Sequence, residues 1–568
     1  MLCEKCHTRP ACVHIRAYGP DGQQDLNLCL QCAITTMPDQ ADLSRFLQVL
    51  EENSKETGIK LPVPLEELKR LAKLGEPSLS AKRCPTCGLA LSELFKRQKL
   101  GCRSCLNAFR AELRDFLRGP LAAQRRHKAS SSGLPQTSGE QSYLQVRLEE
   151  MRQELSQAVK AEQYERAAQL QQQIKALSQD LSRERQSVLL SEGDTYSQLC
   201  ADIRALPGFA YLAPGTPVPV WTPRQILPGM TIRLASVVRY SRNLADFPFP
   251  PYTGATIQEA SEPAELLLKF LQSEPLFADA TLVRPTAENC SQSAQLTYCN
   301  MAPPAFLNHP FPVFLLVSAN RRVIARINHE DHLQLEIWGE KGDQARAIQL
   351  IQAFDARFQR RFHLATDAEF GAITHRLASL GSGIQIAEFL HLPALFMEGR
   401  QDSIVNACHE LHLAIQPFYA QKNPYPANIM MLRDEFALGE TLNRRFRQVA
   451  RAAAMLERHE REARCALQNN ETQRLSLLDR LGRVAGTIKG ARLVDANEAR
   501  HLLSMLWLGH ELGVFAQLNW AVLFRDYARL PPASPKTDQP ADDQQMRRQS
   551  IVTARMLRHD FGHEEDME

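Results

Sequence analysis

Four Cys-x-x-Cys pairs within the first 105 residues constrain this chain more than any other feature of its sequence. The pairs are Cys3–Cys6, Cys29–Cys32, Cys84–Cys87 and Cys102–Cys105. A two-residue spacing lets both thiolates of a pair face one ion, and two pairs complete a tetrahedral four-sulfur site, the usual arrangement of structural zinc. Such a site has no open coordination position, so each ion is predicted to hold structure rather than to catalyse. Residues 1–35 and 81–120 are therefore predicted to be two zinc-binding units.

Disulfides and redox-active thiols are the alternatives for these pairs. Nine of the 14 cysteines lie in the first 105 residues and five are scattered through the remainder. Clustered pairs in an intracellular chain are typical of metal binding. Cys12, His7 and His14 are substitute ligands with poorer spacing. The unpaired cysteines are predicted to be small buried hydrophobic residues, and they are Cys12, Cys200, Cys290, Cys299, Cys408 and Cys465.

Length and composition indicate a soluble multidomain protein. The chain has 568 residues, a formal net charge of +3 and 44% hydrophobic residues. At about 150 residues per domain, this length predicts roughly three to four domains. The near-neutral charge argues against a nucleic-acid partner, and the lack of an apolar run of about 18 residues argues against a membrane span. The opening MLCEKCHTRP has no apolar signal core, which predicts a cytoplasmic location.

Hydrophobic periodicity and polar breaks divide the rest of the chain. The predicted segments are a helical connector at 36–80, a linker at 121–142, a helical hairpin at 143–187, a linker at 188–220, an α+β domain at 221–440 and a helical domain at 441–568. Strands are predicted at 312–317, 323–327 and 333–338, and helices at 343–364, 400–412, 440–467 and 545–559. The fold class is multidomain α+β, with small zinc-ribbon-like modules at the N-terminal end.

The first third of the chain resembles a known bacterial family. The matching stretches are MLCEKCHTRPACVHI, CPTCGLALSELFKRQKLGCRSC and LEEMRQELSQAVKAEQYERAAQL. They are similar to the zinc-binding activator of protein-arginine kinase, whose helical hairpin is a UVR motif. The resemblance implies two structural zinc ions held by the eight paired cysteines. It also implies protein partners that dock through the UVR-like hairpin, namely a separate arginine kinase or a protease–chaperone complex, and a homo-oligomer.

The second half resembles the kinase itself, a relative of the phosphagen kinases. The matching stretches include ASVVRYSRNLADFPFP, NHEDHL, SLGSGIQIAEFLHLPAL and FALGE, in the family's order. The resemblance implies a phosphagen-kinase-like α+β domain of the ATP:guanido phosphotransferase type. It places Glu330 at the family's catalytic glutamate, with Asp331 beside it as a secondary candidate. It places Arg239 at a surviving nucleotide-binding arginine.

Several charged residues of the family's site are absent from this chain. Gln334 and Gln385 stand where the family has arginines, and the second catalytic carboxylate is missing from the aligned run 416–424. Removal of one transition-state donor typically costs about 10²–10³ in rate. These losses argue against binding of ATP and magnesium and predict an impaired pseudokinase. Arg376 and Arg433 are new basic residues of the site region and offer replacements for the lost arginines.

These observations lead to one main hypothesis and two alternatives. The main hypothesis is a zinc-binding regulatory or scaffold protein of the protein-arginine kinase system, active in stress response and protein quality control. The first alternative is an active ATP-dependent protein-arginine kinase fused to its activator. The second is a UVR-type, repair-associated binding module, but no GxxxxGK[ST] phosphate loop is present.

Overall fold

The computed structural model describes the second cysteine unit, most of the second half of the chain and a short hairpin near the N-terminus. The described residues are 13–19, 22–28, 82–117, 170–171, 193–206, 217–224, 226, 231–250, 256–285, 296, 299–307, 309–340, 342–419, 428–515, 517–531 and 543–562. Outside them lie the cysteine pairs of the first unit, the connector, the polar linker and nearly all of the UVR-like hairpin, which are Cys3, Cys6, Cys29, Cys32, 36–80, 121–142 and 143–187. The domain boundaries drawn from the sequence stay predictions.

An antiparallel sheet forms the centre of the second half. After the N-terminal hairpin of β1 (Val13–Gly19) and β2 (Gly22–Leu28), the chain forms β3 (Arg233–Arg242), β4 (Thr281–Val283), β5 (Phe314–Val317), β6 (Val323–Ile327), β7 (Leu333–Gly339), the small hairpin β8 (Thr366–Asp367) and β9 (Gly371–Ala372), β10 (Ile384–His391), β11 (Leu413–Pro417) and β12 (Ile429–Asp434). The sheet order is β11-β12-β10-β3-β7-β6-β5-β4. The three predicted strands are confirmed as β5, β6 and β7.

Helices flank the sheet and fill the C-terminal part of the chain. They are α1 (Leu91–Arg97), α2 (Ser104–Ala108), α3 (Arg110–Phe116), α4 (Gly193–Ala205), α5 (Ile257–Ser273), α6 (Pro304–Leu307), α7 (Gln344–Arg361), α8 (Pro393–Met397), α9 (Gln401–Glu410), α10 (Leu442–Asn469), α11 (Glu471–Gly490), α12 (Ala496–Glu511), α13 (Trp520–Tyr527) and α14 (Asp543–Phe561). The four predicted helices are confirmed as α7, α9, α10 and α14. No helix in the described ranges has the length and apolarity that crossing a membrane requires.

Two helices cover one face of the sheet. The Tyr240 hydroxyl on β3 donates to Asp355 on α7, and its ring packs edge-on against Phe354. Arg445 on α10 pairs with Asp434 on β12. The later helices share one continuous hydrophobic cluster with the sheet. In the part of the chain that the structure describes, this face is therefore covered by packed helices.

The opposite face carries polar side chains. In the strand register, Arg239 lies opposite both Glu336 and Gln385, and Ala387 lies opposite Arg433. Because side chains two residues apart in a strand point to the same side, these residues share one surface. We call this surface the site face, and its polar members are Arg239, Gln334, Glu336, Gln385 and Arg433.

The second cysteine unit packs directly onto loops of the kinase-like half. Leu100 N donates to His375 O over 2.8 Å, and Leu377 N donates to Gln98 O over 3.0 Å. Both parts contribute to one apolar cluster, which includes Cys84, Leu94, Cys105, Phe109, Leu113, Phe370, Ile373, Leu377, Leu380 and Leu438. Removal of these apolar surfaces from water therefore stabilises the contact between the two parts.

The burial predicted for the unpaired cysteines is confirmed in part. Cys200, Cys299 and Cys408 are buried, but the prediction is wrong for Cys465, which is exposed on α10. On this helix the buried positions include Ala463, Arg464 and Leu467, so residue 465 falls on the solvent side. Cys12 and Cys290 lie outside the described residues.

Phe370→Ala tests the apolar contact between the cysteine unit and the kinase-like half. Phe370 is completely buried in the shared cluster, so truncation should lower the free energy of unfolding by about 3–5 kcal/mol. The matched control is Leu478→Ala, because Leu478 is 40% exposed, and its change should stay within about 0.5 kcal/mol. Chemical denaturation of the full chain measures both. Equal effects of the two substitutions would contradict the contact.

Candidate functional site

The four cysteines of the second unit converge on one point. Their sulfur atoms all lie within 4.8 Å of one another, with Cys84 to Cys102 at 3.7 Å, Cys87 to Cys105 at 3.3 Å and Cys102 to Cys105 at 3.8 Å. Tetrahedral zinc with Zn–S bonds of about 2.3 Å requires sulfur separations of roughly 3.8 Å. The residues present therefore fit a four-sulfur zinc site.

Two glycines allow the tight turns around these sulfurs. Gly88 has a φ of 71°, a conformation that side-chain-bearing residues rarely adopt. A Cβ atom on Gly101 would lie 2.7 Å from Cys87 Sγ. Both positions therefore need a residue without a side chain.

The thiols of this cluster shift one another's pKa. Hydrogen bonding from Cys105 lowers the pKa of Cys102, whereas hydrogen bonding with Cys102 and burial raise the pKa of Cys105. Burial raises the pKa of Cys87 to about 11. A divalent cation would supply the positive charge that this cluster lacks and would displace the remaining thiol protons. Cys3, Cys6, Cys29 and Cys32 lie outside the described residues, so a second site stays a prediction.

The zinc unit reaches the predicted catalytic glutamate. Lys99 forms an isolated antiparallel bridge with Arg376, and its Nζ lies 2.6 Å from Glu330 Oε1. Arg376 binds the same carboxylate through Nε at 2.6 Å and Nη2 at 2.8 Å. Burial alone would raise the pKa of Glu330, but Arg376 and Lys99 hold it well below its ordinary range. Glu330 is therefore an ionised carboxylate with two cationic partners.

Asp331 is enclosed behind Glu330. It is 1% exposed and accepts hydrogen bonds from Asn243 Nδ2 at 2.6 Å and from His375 N at 2.7 Å. Burial raises its pKa to about 6. These contacts tie the 328–332 loop to Asn243, directly after β3, and to the loop that carries Arg376. In this geometry Asp331 holds the loop in place.

Arg239 is also engaged by an internal partner. Its Nε donates to Glu336 over 2.8 Å, and Arg326 binds the same carboxylate with two hydrogen bonds of 2.9 Å. Glu336 is 1% exposed. Burial would raise its pKa, but the two arginines keep it well below the ordinary range. The surviving arginine of the predicted nucleotide site therefore faces a carboxylate inside the protein.

Sequence reasoning missed Lys99 and Glu336. Lys99 is 231 residues from Glu330 in the chain, and no local pattern indicates that contact. Glu336 had a usable signal, because the alternation in LQLEIW places it on the same face as Gln334 and Trp338. The Gln334 side chain lies 3.4 Å from Asp331, within the site region where an arginine was expected.

Three protein-family profiles match separate parts of the chain. Residues 82–129 match the McsA central zinc-finger domain, residues 145–180 match the UvrB/uvrC (UVR) motif, and residues 287–463 match the C-terminal catalytic domain of ATP:guanido phosphotransferase. The chain joins a McsA-type zinc finger, a UVR motif and an ATP:guanido phosphotransferase domain. Strands β5 to β12 lie within the range that matches the phosphotransferase domain, whereas β3, which carries Arg239, and β4 precede it.

Individual relatives match this phosphotransferase part. The chain is 25% identical over 309 residues to the protein-arginine kinase of Moorella thermoacetica, covering 54% of this chain and 87% of that kinase. It is 26% identical over 298 residues to that of Bacillus subtilis, covering 52% and 81%. Among solved structures, the substrate-free duplicated taurocyamine kinase from Schistosoma mansoni aligns with a TM-score of 0.37 and 16% identity, over 49% of this chain and 40% of that chain. Lombricine kinase aligns with a TM-score of 0.34 and 13% identity, over 48% and 78%.

Cys102→Ser tests the metal site of the McsA-type finger. Loss of one of four sulfur ligands should remove zinc from this unit, so the zinc content of the purified chain should fall by about one ion. Elemental analysis of the full chain measures this content. Cys465→Ser removes an exposed cysteine elsewhere and should leave it unchanged. The same zinc content in both variants would rule out a metal held by Cys102.

Proposed function

We propose that this chain is a zinc-binding regulatory or scaffold protein of the protein-arginine kinase system, whose kinase-like half does not transfer phosphate. The two-ion zinc content, the partner-binding hairpin and a role in stress-linked protein quality control belong to the same proposal. The observation that carries it is the state of Glu330, whose carboxylate is bound by Arg376 and Lys99. The alternative of an active fused kinase is the opposite outcome of the experiment below.

Phosphorylation of a guanidinium needs a free carboxylate. The carboxylate must orient the nitrogen and accept its proton, although a free guanidinium has a pKa above about 12. At Glu330, the guanidinium of Arg376 already forms two hydrogen bonds with the carboxylate, and the Lys99 ammonium forms a third. A substrate arginine would have to displace these groups. Arg376 thus already makes the guanidinium–carboxylate contact that a substrate arginine would need, which supports an impaired site.

The phosphate side of the site supports the same proposal. Catalysis of phosphoryl transfer depends on cations that align the phosphates and offset transition-state charge. Arg239 shares Glu336 with Arg326, and Gln334 and Gln385 are neutral. An arginine committed to an internal carboxylate stabilises a transferring phosphoryl group less than a free one. The missing donors should lower the rate by several orders of magnitude.

A phosphotransfer assay tests the proposal. The full, zinc-loaded chain is incubated with ATP, magnesium and an arginine-rich protein, and phosphoarginine is quantified by mass spectrometry. We expect no phosphoarginine above the level of the Glu330→Gln variant, because Glu330 is not available to a substrate. The protein-arginine kinase of Bacillus subtilis serves as the positive control. Phosphoarginine formation that Glu330→Gln abolishes would establish the active fused kinase instead.

A mixing experiment tests the regulatory role. The chain is added in increasing amounts to the same active kinase, and the initial rate of phosphoarginine formation is followed. A regulator should change this rate several-fold in a saturable manner. The Cys102→Ser variant should have a weaker effect, because loss of zinc unfolds the unit that contacts the kinase-like loops. An unchanged rate at excess chain would contradict regulation of a separate kinase.

A further inference from the structure

Two carboxyl groups meet where the end of α14 packs against α13. Asp526 lies on α13 and Asp560 in the last turn of α14, and their side chains lie within hydrogen-bonding reach of each other. Asp526 is completely buried, and the Asp560 side chain is 11% exposed. Two negative charges in contact repel each other strongly where water is excluded. The contact therefore needs compensating cations, a shared proton or both.

Two arginines compensate part of this repulsion. Arg525 connects the two carboxyl groups, with Nε 3.1 Å from Asp526 Oδ1 and Nη2 2.8 Å from Asp560 Oδ2. Arg529 lies 3.3 Å and 3.6 Å from the same two oxygens, but its side chain is 48% exposed, so solvent weakens its effect. His559 Nδ1 lies 2.8 Å from Asp560 Oδ1 and is also exposed. All of these contacts leave the second oxygen of Asp526 without a donor.

That second oxygen indicates a shared proton. Asp526 Oδ2 is buried, and no residue in the described ranges donates a hydrogen bond to it. Buried polar atoms in native proteins generally find a partner. A proton on Oδ2 would turn this acceptor into a donor to Asp560 and would satisfy both carboxyl groups. Burial and the nearby Asp560 raise the pKa of Asp526 to about 7, in agreement with this geometry.

A small cavity lies beside the carboxyl pair. Asp560 and Phe561 line it together with Phe515 and Asn519. The other polar groups here have their own partners, because Asn519 Oδ1 caps α13 and His510 Nδ1 of α12 lies 3.1 Å from Phe515 O. Since the end of α14 forms one wall of the cavity, its release would open the carboxyl pair to water.

We infer that docking of the end of α14 depends on a proton shared between Asp526 and Asp560. With the proton bound, the two groups form a hydrogen bond and α14 stays docked. Without it, two carboxylates remain in contact and the last turn of α14 is released. The docked form keeps a proton that a solvated carboxyl group loses near its ordinary pKa. Docking is therefore stronger in weak acid and weakens as the pH rises through about 7.

Hydrogen exchange of the full, zinc-loaded chain measures this release. Mass spectrometry gives protection factors, which are corrected for the intrinsic effect of pH on exchange, for residues 556–562 at pH 6 and pH 8. A group with a pKa of about 7 should weaken docking by about tenfold between these values, and protection should fall accordingly. Helix α7, which packs on the sheet, is the internal reference and should change little. Equal protection of 556–562 at both pH values would overturn the inference.

Asp526→Asn tests the proton itself. The asparagine amide can donate to Asp560 at every pH, so protection of 556–562 at pH 8 should stay at the pH 6 level. The matched control is His559→Gln, which removes the exposed titratable neighbour and should keep the tenfold change. A tenfold fall in Asp526→Asn, or its loss in His559→Gln, would assign the pH dependence to another group and overturn the inference.

A second variant keeps the test valid if Asp526→Asn does not fold. In Asp560→Asn the new amide can donate to the Asp526 oxygen that lacks a donor, so an ionised Asp526 is satisfied. The fall in protection between pH 6 and pH 8 should then be several-fold smaller than in the wild type, and thermal unfolding shows whether the variant is folded. An undiminished fall in folded Asp560→Asn would overturn the shared proton. No measurement here involves phosphate transfer, so this inference and the proposed function fail separately.

Discussion

The carboxylate of Glu330 connects the parts of this protein. It binds Arg376 from the loop before β10 and Lys99 from the zinc finger, and it lies next to Asp331, which binds Asn243 and the backbone of His375. A partly buried carboxylate is costly unless it is paired and hydrogen-bonded. Because its cations come from two different parts of the chain, Glu330 ties the docking of the finger to the arrangement of the site. The apolar cluster beneath supplies the burial that makes this geometry stable.

The two faces of the sheet differ in how completely their polar groups are paired. On the covered face, Asp355 and Asp434 are fully paired with groups of neighbouring helices or strands. On the site face, pairing is uneven, because Glu336 satisfies two arginines while Arg433 and Gln385 retain unused donors. Removing one partner of a buried pair costs about 3–5 kcal/mol, so the covered face tolerates little change. Among the described residues, the site face therefore holds both a paired buried network and a buried Gln385 donor without a partner.

Local sequence patterns predict much of this arrangement. The contacts that they do not predict have identifiable physical causes. The apolar runs of β5 and β6 and the alternation of β7 predicted strands, and the cysteine spacing predicted the sulfur cluster, because these are local patterns. The resemblance to a kinase family placed Glu330 and Arg239 in one site. It did not indicate that Lys99 would bind Glu330, because a contact across 231 residues depends on docking between modules. Cys465 was misjudged because residue type was used without the helical face on which it lies.

The resemblance to the kinase family implies that positive charge in the predicted site stands at different positions in this chain. Gln334 and Gln385 stand where arginines were expected, whereas Arg376 and Arg433 are additions. Attraction of an anion depends mainly on the number of nearby cations, but phosphoryl transfer depends on their alignment with a free carboxylate. Arg376 is paired with Glu330. Arg433 lies on β12, whereas Gln385 lies on the neighbouring strand β10. The proposed loss of phosphoryl transfer therefore rests on lost alignment rather than on lost positive charge.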